Sequence, residues 1–411
     1  MISIRYASRI QSTISNSRTT RTFSSIITRP TKNDTYGDTL EFGGRNSVAE
    51  NDLTVCVFGA SGFLGKYLCS DLGQVGVKGY LPNRGCEMEM RHLKPSFDLG
   101  RSWLPFYSPR DKDSIRQVIA DADIVVNLIG KNYETKVLNN AKSFPYFSYD
   151  VNYSFTEAHV TVPKMIAECC TELGTKGLIH VSSVAADTSS PSAWARSKAE
   201  GEKAVKEAYN NPVILRSSQM FGPEDKLLNW YAIAATALPF VPMIDSGSGS
   251  AGDGLTKPVY MGDVSDALFK IIMKYDKFEG CTFEVEGGED FTHRELCEFT
   301  YDVTGQRPRV VDVPKEVMEV VGRGMGMLPN PMITEDMVEL WSRDYVASLE
   351  VDEEGGDVLG LKNLDIEPTK IEKVAFSYLH RFRAGGHFIM SEGYHLGAAN
   401  ESGTGRLAKK E

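Results

Sequence analysis

Three glycines that follow a short apolar run have the spacing G-x-x-G-x-x-G and could bind the phosphates of a nucleotide. The run is Thr54–Phe58, and the glycines are Gly59, Gly62 and Gly65. Gly59 permits a tight turn, Gly62 lets the backbone approach a pyrophosphate, and Gly65 lets the next helix pack closely on the strand. Unpaired N–H groups at the start of that helix favour an anion. The spacing predicts a dinucleotide site, and a purely structural turn is the alternative.

The end of the second predicted strand decides which dinucleotide fits. This strand, at 77–81, leads into Pro82-Asn83-Arg84, and the tip carries no acid before Glu87. An acid here would bind the ribose hydroxyls of NAD, whereas an arginine accommodates the 2′-phosphate of NADP. Arg84 therefore predicts NADP(H), with Arg91 and Lys94 as possible additional charges. The alternative is that Arg84 is a solvated loop residue.

Apolar runs alternate with helical patterns between residues 52 and 225, which predicts a doubly wound, parallel α/β sheet of the Rossmann type. Ligands bind at the carboxyl ends of such strands, so Leu128, Ile129 and Gly130 are expected beside the cofactor. His180 lies inside a predicted strand and is interpreted as a core histidine. The predicted strands are 54–58, 77–81, 103–107, 123–130, 177–183 and 213–218.

The pattern loosens beyond Asp225, which predicts a smaller cap region over the edge of the sheet where substrate would lie. The segment Trp230–Met243 is apolar and broken by prolines. It is either cap core or an exposed interface. The predicted divisions are 52–225 for the NADP-binding domain, with 256–273 returning to it, 226–255 and 274–383 for the cap, and 384–411 for a flexible tail.

The amino-terminal segment has the composition of a mitochondrial presequence. Five arginines precede Lys32, no acidic residue precedes Asp34, and no uninterrupted apolar core is present. We predict a presequence over residues 1–23 and an exposed lead-in over 24–51. A disordered basic tail is the alternative.

Composition limits the classes of partner and of site. A net charge of −10 argues against nucleic acid as a partner, and no segment reaches the roughly 20 apolar residues that a membrane span requires. The seven cysteines form no C-x-x-C pair, so Cys56 and Cys69 are expected to be buried free thiols and no metal site is predicted. A reducing compartment such as the mitochondrial matrix fits this pattern.

These motifs resemble those of the extended short-chain dehydrogenase/reductases. Gly59–Gly65 is similar to the glycine motif of that family, Val151-Asn152 to the start of its fourth helix, and Phe221–Asp225 to its post-sheet loop. The resemblance implies that a serine, a tyrosine and a lysine four residues after the tyrosine would carry proton transfer coupled to hydride transfer.

The corresponding segment keeps the lysine, as Lys198, but has Trp194 at the tyrosine position. Ser182 or Ser183 can supply the serine. An indole N–H can donate a hydrogen bond but has no proton to transfer near neutral pH. We therefore predict no catalytic residue, with Lys198 retained as a contact to the nicotinamide ribose. Tyr209 is too far along the helix to replace the lost phenol, whereas Tyr146, Tyr149 and Tyr153 stay open as replacements.

Several stretches further resemble the nucleotide-binding accessory subunits of mitochondrial NADH:ubiquinone oxidoreductase, respiratory complex I. They lie at 110–116, 127–136, 221–229 and 257–260. The resemblance implies a peripheral subunit on the matrix side of the inner membrane that holds NADPH without turnover, near the quinone-site junction. Its partners would be other complex I subunits.

The predicted cofactor-binding residues are Gly59, Ser61, Gly62, Phe63, Leu64, Gly65, Arg84, Leu128, Ile129, Gly130, Ser182 and Lys198. Two further functions use the same motifs. One is an active NADP-dependent reductase or sugar-nucleotide epimerase, and the other is a regulator that senses NADPH.

Overall fold

A parallel sheet forms the centre of the computed structural model, which describes residues 52–138, 149–245, 251–307, 309–328, 330–347 and 358–383. Eight strands of this part of the chain form the sheet, and each pair of neighbours runs parallel. The strands are, in chain order, β1 (Thr54–Phe58), β2 (Lys78–Tyr80), β3 (Ser102–Trp103), β4 (Ile124–Asn127), β5 (Thr135–Leu138), β6 (Tyr149–Tyr153), β7 (Gly177–Ser183), β8 (Val213–Ser217), β9 (Met220–Phe221), β10 (Val241–Asp245), β11 (Leu255–Thr256), β12 (Val259–Tyr260), β13 (Thr282–Val285), β14 (Phe291–Thr292), β15 (Val310–Pro314) and β16 (Val358–Leu359).

Helices connect these strands and cover the sheet. The α-helices are α1 (Phe63–Gln74), α2 (Glu87–Met90), α3 (Lys112–Ile119), α4 (Val162–Leu173), α5 (Ala193–Ala208), α6 (Leu228–Ala237), α7 (Met261–Met273), α8 (Tyr275–Phe278), α9 (His293–Thr304), α10 (Lys315–Met325), α11 (Glu335–Trp341) and α12 (Ile371–Leu379). A π-helical turn, Glu157–Thr161, precedes α4. Asp111 is the N-cap of α3, and its side chain accepts a hydrogen bond from the backbone N–H of Asp113.

The sheet has the strand order β16-β13-β8-β7-β4-β1-β2-β3. The chain first builds outward from β1 to β3 and then continues on the other side of β1 with β4, so the order reverses between β1 and β4. This reversal confirms the predicted doubly wound Rossmann class, and it creates a crevice at the carboxyl ends of β1 and β4.

Strand β1 is buried on both faces. Val55 and Val57 pack into a cluster with α1 and α7, whereas Cys56 and Phe58 pack into a second cluster with α3 and α4. Because side chains alternate along a strand, an almost uninterrupted apolar run is what a central parallel strand requires.

A third cluster lies outside the sheet and is formed by α6, α9, α12 and the strands β10 and β15. Trp230, Tyr231, Val241 and Met243 are buried in it, so both ends of the segment 230–243 are core. Ile233 and Phe240, which lie between them, are exposed.

Three expectations need correction. Strands β13 and β16, which lie in the range 274–383 predicted as cap, extend the main sheet beyond β8. Strand β3 is shorter than the predicted 103–107, because Pro105 has no N–H for a ladder, and Phe106 forms only an isolated bridge with Asn83. The residues before α4 form β6, which pairs with β5 in an antiparallel hairpin rather than starting the helix. The remaining domain boundaries stay predictions, and the segments predicted as presequence, lead-in and tail lie outside the described residues.

All seven cysteines are free thiols, and Cys56 and Cys69 are buried as predicted. Within the described ranges, no helix combines the length and apolar character that crossing a bilayer demands.

Candidate functional site

The turns that follow β1 and β4 meet at the crevice. Gly59 has a φ of +82°, and a Cβ atom there would lie 3.1 Å from the carbonyl carbon of Leu128. The N–H of Gly62 closes the turn by donating to the carbonyl of Gly59 at 2.9 Å. Gly62 is also the N-cap of α1, which has neither a side-chain cap nor an acid in its first turn. This end of the helix therefore leaves backbone N–H groups for an anion.

The next predicted residues fix the helix to the sheet. A Cβ on Gly65 would lie 2.6 Å from the carbonyl oxygen of Ala60, so only glycine permits this approach. Leu64 is buried in the core, and Phe63 is half-buried and packs edge-to-face on Tyr67. Ser61 is exposed at the mouth of the turn. The structure therefore places the backbones of these residues, rather than the Leu64 side chain, beside the crevice.

Three positively charged side chains lie over the ring of Tyr153, near the end of β2. Arg84 is exposed, with its guanidinium carbon 5.4 Å from the centroid of the Tyr153 ring. Arg110 lies 4.5 Å and Lys131 5.2 Å from the same centroid. Burial, with a smaller contribution from Arg84, lowers the pKa of Lys131. Arg110 forms an ion pair with Glu157 at 3.2 Å. Three cations over one ring make this cluster an attractive place for an anion.

Sequence reasoning identified Arg84 in this cluster but not Arg110 or Lys131 as its neighbours. No local signal links them, because they follow different strands and meet only through Tyr153. Of the other charges considered, Lys94 forms an ion pair with Glu87 at 2.6 Å.

Lys198, on α5, directs its ammonium group to the loop that follows β4, and Ser182 lies near the carboxyl end of β7. A Cβ on Gly130 would lie 3.2 Å from the ammonium nitrogen of Lys198, so this glycine admits the lysine head. Burial lowers the pKa of Lys198 to about 8. The hydroxyl of Ser182 is buried and has no hydrogen-bond partner. A buried polar atom without a partner costs free energy, which fits a hydroxyl that a bound ligand would satisfy.

The predicted core histidine, His180, has a hydrogen-bond partner inside the sheet. The Asn127 amide donates to its Nδ1 over 3.1 Å, and the Asn127 side-chain oxygen accepts from the backbone N–H of Ile129 at 3.1 Å. The pair therefore fixes the start of the loop that carries Ile129 and Gly130.

His159 connects this loop to α5. Its Nε2 accepts a hydrogen bond from the backbone N–H of Lys131 at 3.0 Å, and its Nδ1 lies 2.8 Å from the hydroxyl of Ser197. Since that hydroxyl donates to the carbonyl of Trp194 at 2.7 Å, the ring is neutral with its proton on Nδ1. No local pattern around His159 indicates this role.

Burial is the main reason why three histidines stay neutral in the folded chain. It lowers the pKa of His159 to about 2, of His180 to about 3 and of His293 to about 4. An unfolded histidine titrates near pH 6.5, so the unfolded chain binds more protons below this pH. Their contribution to stability is complete above about pH 6.5 and is lost as the pH falls.

We expect the free energy of unfolding to decrease between pH 6.5 and pH 5, by up to about 1.4 kcal/mol per pH unit for each net proton. Carboxyls whose pKa burial raises oppose part of this decrease, among them Asp71, with a pKa of about 6, and Asp263 and Asp266. Urea unfolding at several pH values measures the slope. A His293→Gln variant should reduce that slope, and an unchanged slope would contradict the assignment.

Trp194 uses its only side-chain N–H within the chain. The indole donates to the carbonyl of Lys131 at 2.7 Å, and the backbone N–H of Trp194 donates to Asp336 at 3.1 Å. Asp336 also accepts from the hydroxyl of Ser192 at 2.6 Å, which ties the start of α11 to the start of α5. Trp194 lies one helical turn before Lys198. Its two hydrogen bonds connect the loop after β4 with the start of α11.

Of the tyrosines considered as replacements, Tyr209 donates to the carbonyl of Thr175 at 3.0 Å, beyond the end of α5. The ring of Tyr153 is in contact with the cations Arg84, Arg110 and Lys131. Tyr146 and the side chain of Tyr149 lie outside the described residues.

A tyrosine that sequence reasoning missed reaches the end of β7. The phenol of Tyr345 forms a hydrogen bond with the hydroxyl of Ser183, and both residues are buried. Burial raises the pKa of Tyr345 to about 12. The two residues are 162 positions apart, so no local pattern could have joined them.

Comparison with known proteins agrees with this geometry. A sequence profile of the NAD dependent epimerase/dehydratase family matches residues 55–285. NADH dehydrogenase [ubiquinone] 1 alpha subcomplex subunit 9, mitochondrial, from Arabidopsis thaliana is 34% identical, covering 84% of this chain and 81% of its own length. The mitochondrial NADH-ubiquinone oxidoreductase 40 kDa subunit of Neurospora crassa is 31% identical, covering 84% of this chain and 83% of its own. The chain belongs to this family and to the group of these mitochondrial subunits.

The epimerase/dehydratase match ends where β13 ends. It contains the glycine turn, Arg84, Ser182, Trp194 and Lys198, whereas Tyr345 lies beyond it. A solved dTDP-glucose 4,6-dehydratase from Streptomyces venezuelae shares the fold, with a TM-score of 0.56 and 16% identity over 80% of this chain and 96% of that one.

Proposed function

We propose that this chain is a non-catalytic accessory subunit of mitochondrial respiratory complex I that binds NADP(H) and stabilises the matrix arm near the quinone-site junction. The observation that carries the proposal is the similarity, along more than four fifths of the chain, to proteins named as mitochondrial NADH dehydrogenase subunits. Its partners are then other subunits of the complex. It lies peripherally on the matrix side of the inner membrane.

The crevice fits a dinucleotide. The backbone of Gly59–Gly65 would hold the pyrophosphate at the uncapped end of α1. The Leu128–Gly130 turn would contact the ribose side, and Lys198 with the unpartnered hydroxyl of Ser182 would bind the nicotinamide ribose. Bound NADPH supplies a hydride, but under this proposal the chain only binds and orients the nucleotide.

The charge near β2 favours NADP over NAD. The cluster of Arg84 and Lys131 on Tyr153 offers two cations to a 2′-phosphate, and a charged phosphate gains more from such donors than a ribose hydroxyl does.

The chain lacks a tyrosine at the position from which the extended reductases transfer a proton. Trp194 stands at the position where the extended reductases have tyrosine, and its N–H is engaged by the Lys131 carbonyl. The nucleotide would act as a structural ligand, which stabilises the fold by RT ln(1 + [L]/Kd), a few kcal/mol for a tight ligand.

Two measurements test the proposal. Mass analysis of the nucleotide released from the denatured, purified chain should give about one NADP(H) per chain. On native gels, the mature protein should migrate with complex I. Recovery of NAD alone would remove the role of Arg84, and a mature protein found only as a free species would refute the assignment to the complex.

A working NADP-dependent reductase or epimerase is the second candidate, and Tyr345 is the observation that favours it. This phenol lies on Ser183, one of the two candidate serines. However, its pKa is raised rather than lowered, so it is a poor proton donor or acceptor near neutral pH. Turnover of a carbonyl or sugar-nucleotide substrate by the purified chain would support this candidate.

A further inference from the structure

The segment Arg343–Ala347 is fastened across the carboxyl end of β7. The backbone N–H of Leu255 donates to the Asp344 carboxylate at 3.0 Å, and the backbone N–H of Tyr345 donates to the carbonyl of Leu255 at 2.6 Å. The backbone N–H of Ala347 donates to the Glu286 carboxylate. These bonds hold the segment on both sides of Tyr345, so the position of its ring is fixed by backbone contacts.

Tyr345 covers Ser183. The serine is the last residue of β7, its hydroxyl accepts from the backbone N–H of Ala185 at 3.3 Å, and the phenol of Tyr345 forms a second hydrogen bond with it. Ser183 is 4% and Tyr345 6% exposed. A small molecule therefore has no access to this hydroxyl while the segment stays in place.

Polar atoms without partners lie next to Tyr345 and after the neighbouring strand β8. The hydroxyls of Ser218 and Thr256 and the amide oxygen of Gln219 are buried with no hydrogen bond. Thr256 forms a bridge with Tyr345, while Ser218 and Gln219 directly follow β8, the neighbour of β7. Uncharged hydroxyl and amide groups at the carboxyl edge of a sheet suit a neutral, hydroxyl-rich ligand.

We propose that Tyr345 takes the place of the reacting oxygen of such a substrate, so that the segment Arg343–Ala347 is a built-in occupant of the substrate side. This inference rests on the proposed function, because it explains how the chain holds a nucleotide on one side of the crevice while admitting no substrate on the other. The occupant belongs to the same chain, so a free hydroxyl compound must compete with a group that is already positioned.

Thiol labelling tests the cover directly. We replace Ser183 with cysteine in the full chain and measure its alkylation by iodoacetamide through peptide mass analysis, with exposed Cys86 as the internal reference. The Ser183→Cys thiol should react slowly. Adding Tyr345→Ala should accelerate its alkylation at least about tenfold, because the ring no longer excludes the reagent, whereas Tyr345→Phe should leave it slow.

Tyr301→Ala is the matched control, because Tyr301 is equally buried but lies in the cluster outside the sheet. It should not change the Ser183→Cys rate. Should Tyr345→Ala fail to fold, Asp344→Ala removes an exposed anchor of the same segment and should also accelerate alkylation. Fast labelling of Ser183→Cys alone, or no acceleration in the folded variant, would overturn the proposal.

Nucleotide content, measured on the same samples, separates this inference from the proposed function. Tyr345→Ala should retain its NADP(H), because the segment contacts the substrate side. If the unsubstituted chain contains no nucleotide while the Ser183→Cys thiol is still protected, the proposed function is refuted. The inference that Tyr345 covers Ser183 would then still hold.

Discussion

Replacing Gly201 with alanine is expected to destabilise the folded chain by about 3 kcal/mol or more. A Cβ at this position would lie 2.1 Å from the carbonyl oxygen of His159 and 3.1 Å from its carbonyl carbon. These are backbone atoms of the π-helical turn, so they cannot rotate away as the end of a side chain would. Helix α5 would have to separate from this turn, and urea unfolding of the full chain measures the loss.

Gly324→Ala is the control for this effect. Gly324 is also a helical glycine, in α10, but an added Cβ would meet nothing within 4 Å. Because alanine favours a helix over glycine, this variant should be neutral or stabilised by up to about 1 kcal/mol. Equal unfolding free energies for the two variants would show that α5 can move away from His159 without cost.

The same substitution should also reduce nucleotide binding. Helix α5 carries Lys198, whose ammonium nitrogen approaches Gly130, and Trp194, whose indole holds the carbonyl of Lys131. A shift of α5 would move both contacts together. The nucleotide content of purified Gly201→Ala should therefore fall in parallel with its stability.

Local signals were enough to predict the glycine turn and the strands and helices around it. The run Thr54–Phe58 is apolar at every position because both faces of β1 are buried. The glycines after it are required by positive φ at Gly59 and by the close approach at Gly65. Asp111 caps the start of α3 with its own side chain. In each case the cause lies within a few residues of its effect.

The rest depends on contacts between distant parts of the chain. Strand β13 joins the sheet after the pattern of helices and strands has loosened, and its apolar residues could equally form part of a separate core. Tyr345 reaches Ser183 from a segment whose composition carries no sign of this role. His159 resembles any buried histidine until the backbone N–H of Lys131 is placed beside it. Such pairings are set by tertiary packing, so periodicity and motif spacing did not reveal them.

Replacing Arg84 with alanine is expected to weaken NADPH binding about 10- to 100-fold and NADH binding much less. A hydrogen bond to a charged group contributes about 1.5–3 kcal/mol, and each 1.4 kcal/mol is a factor of ten in affinity. The two nucleotides differ only at the 2′-phosphate, so the ratio of their dissociation constants isolates this contact. Calorimetric titration of the full chain with each nucleotide measures it.

Lys94→Ala provides the matched control for Arg84→Ala. It removes one positive charge from the neighbouring loop, but that charge is already paired with Glu87 at 2.6 Å. It should therefore change the NADPH to NADH ratio little, whereas a general electrostatic effect would lower NADPH affinity in both variants. Equal losses for NADPH and NADH in Arg84→Ala would mean that Arg84 acts by packing on Tyr153. In that case Lys131, which lies over the same ring, would have to provide any selectivity for the phosphate.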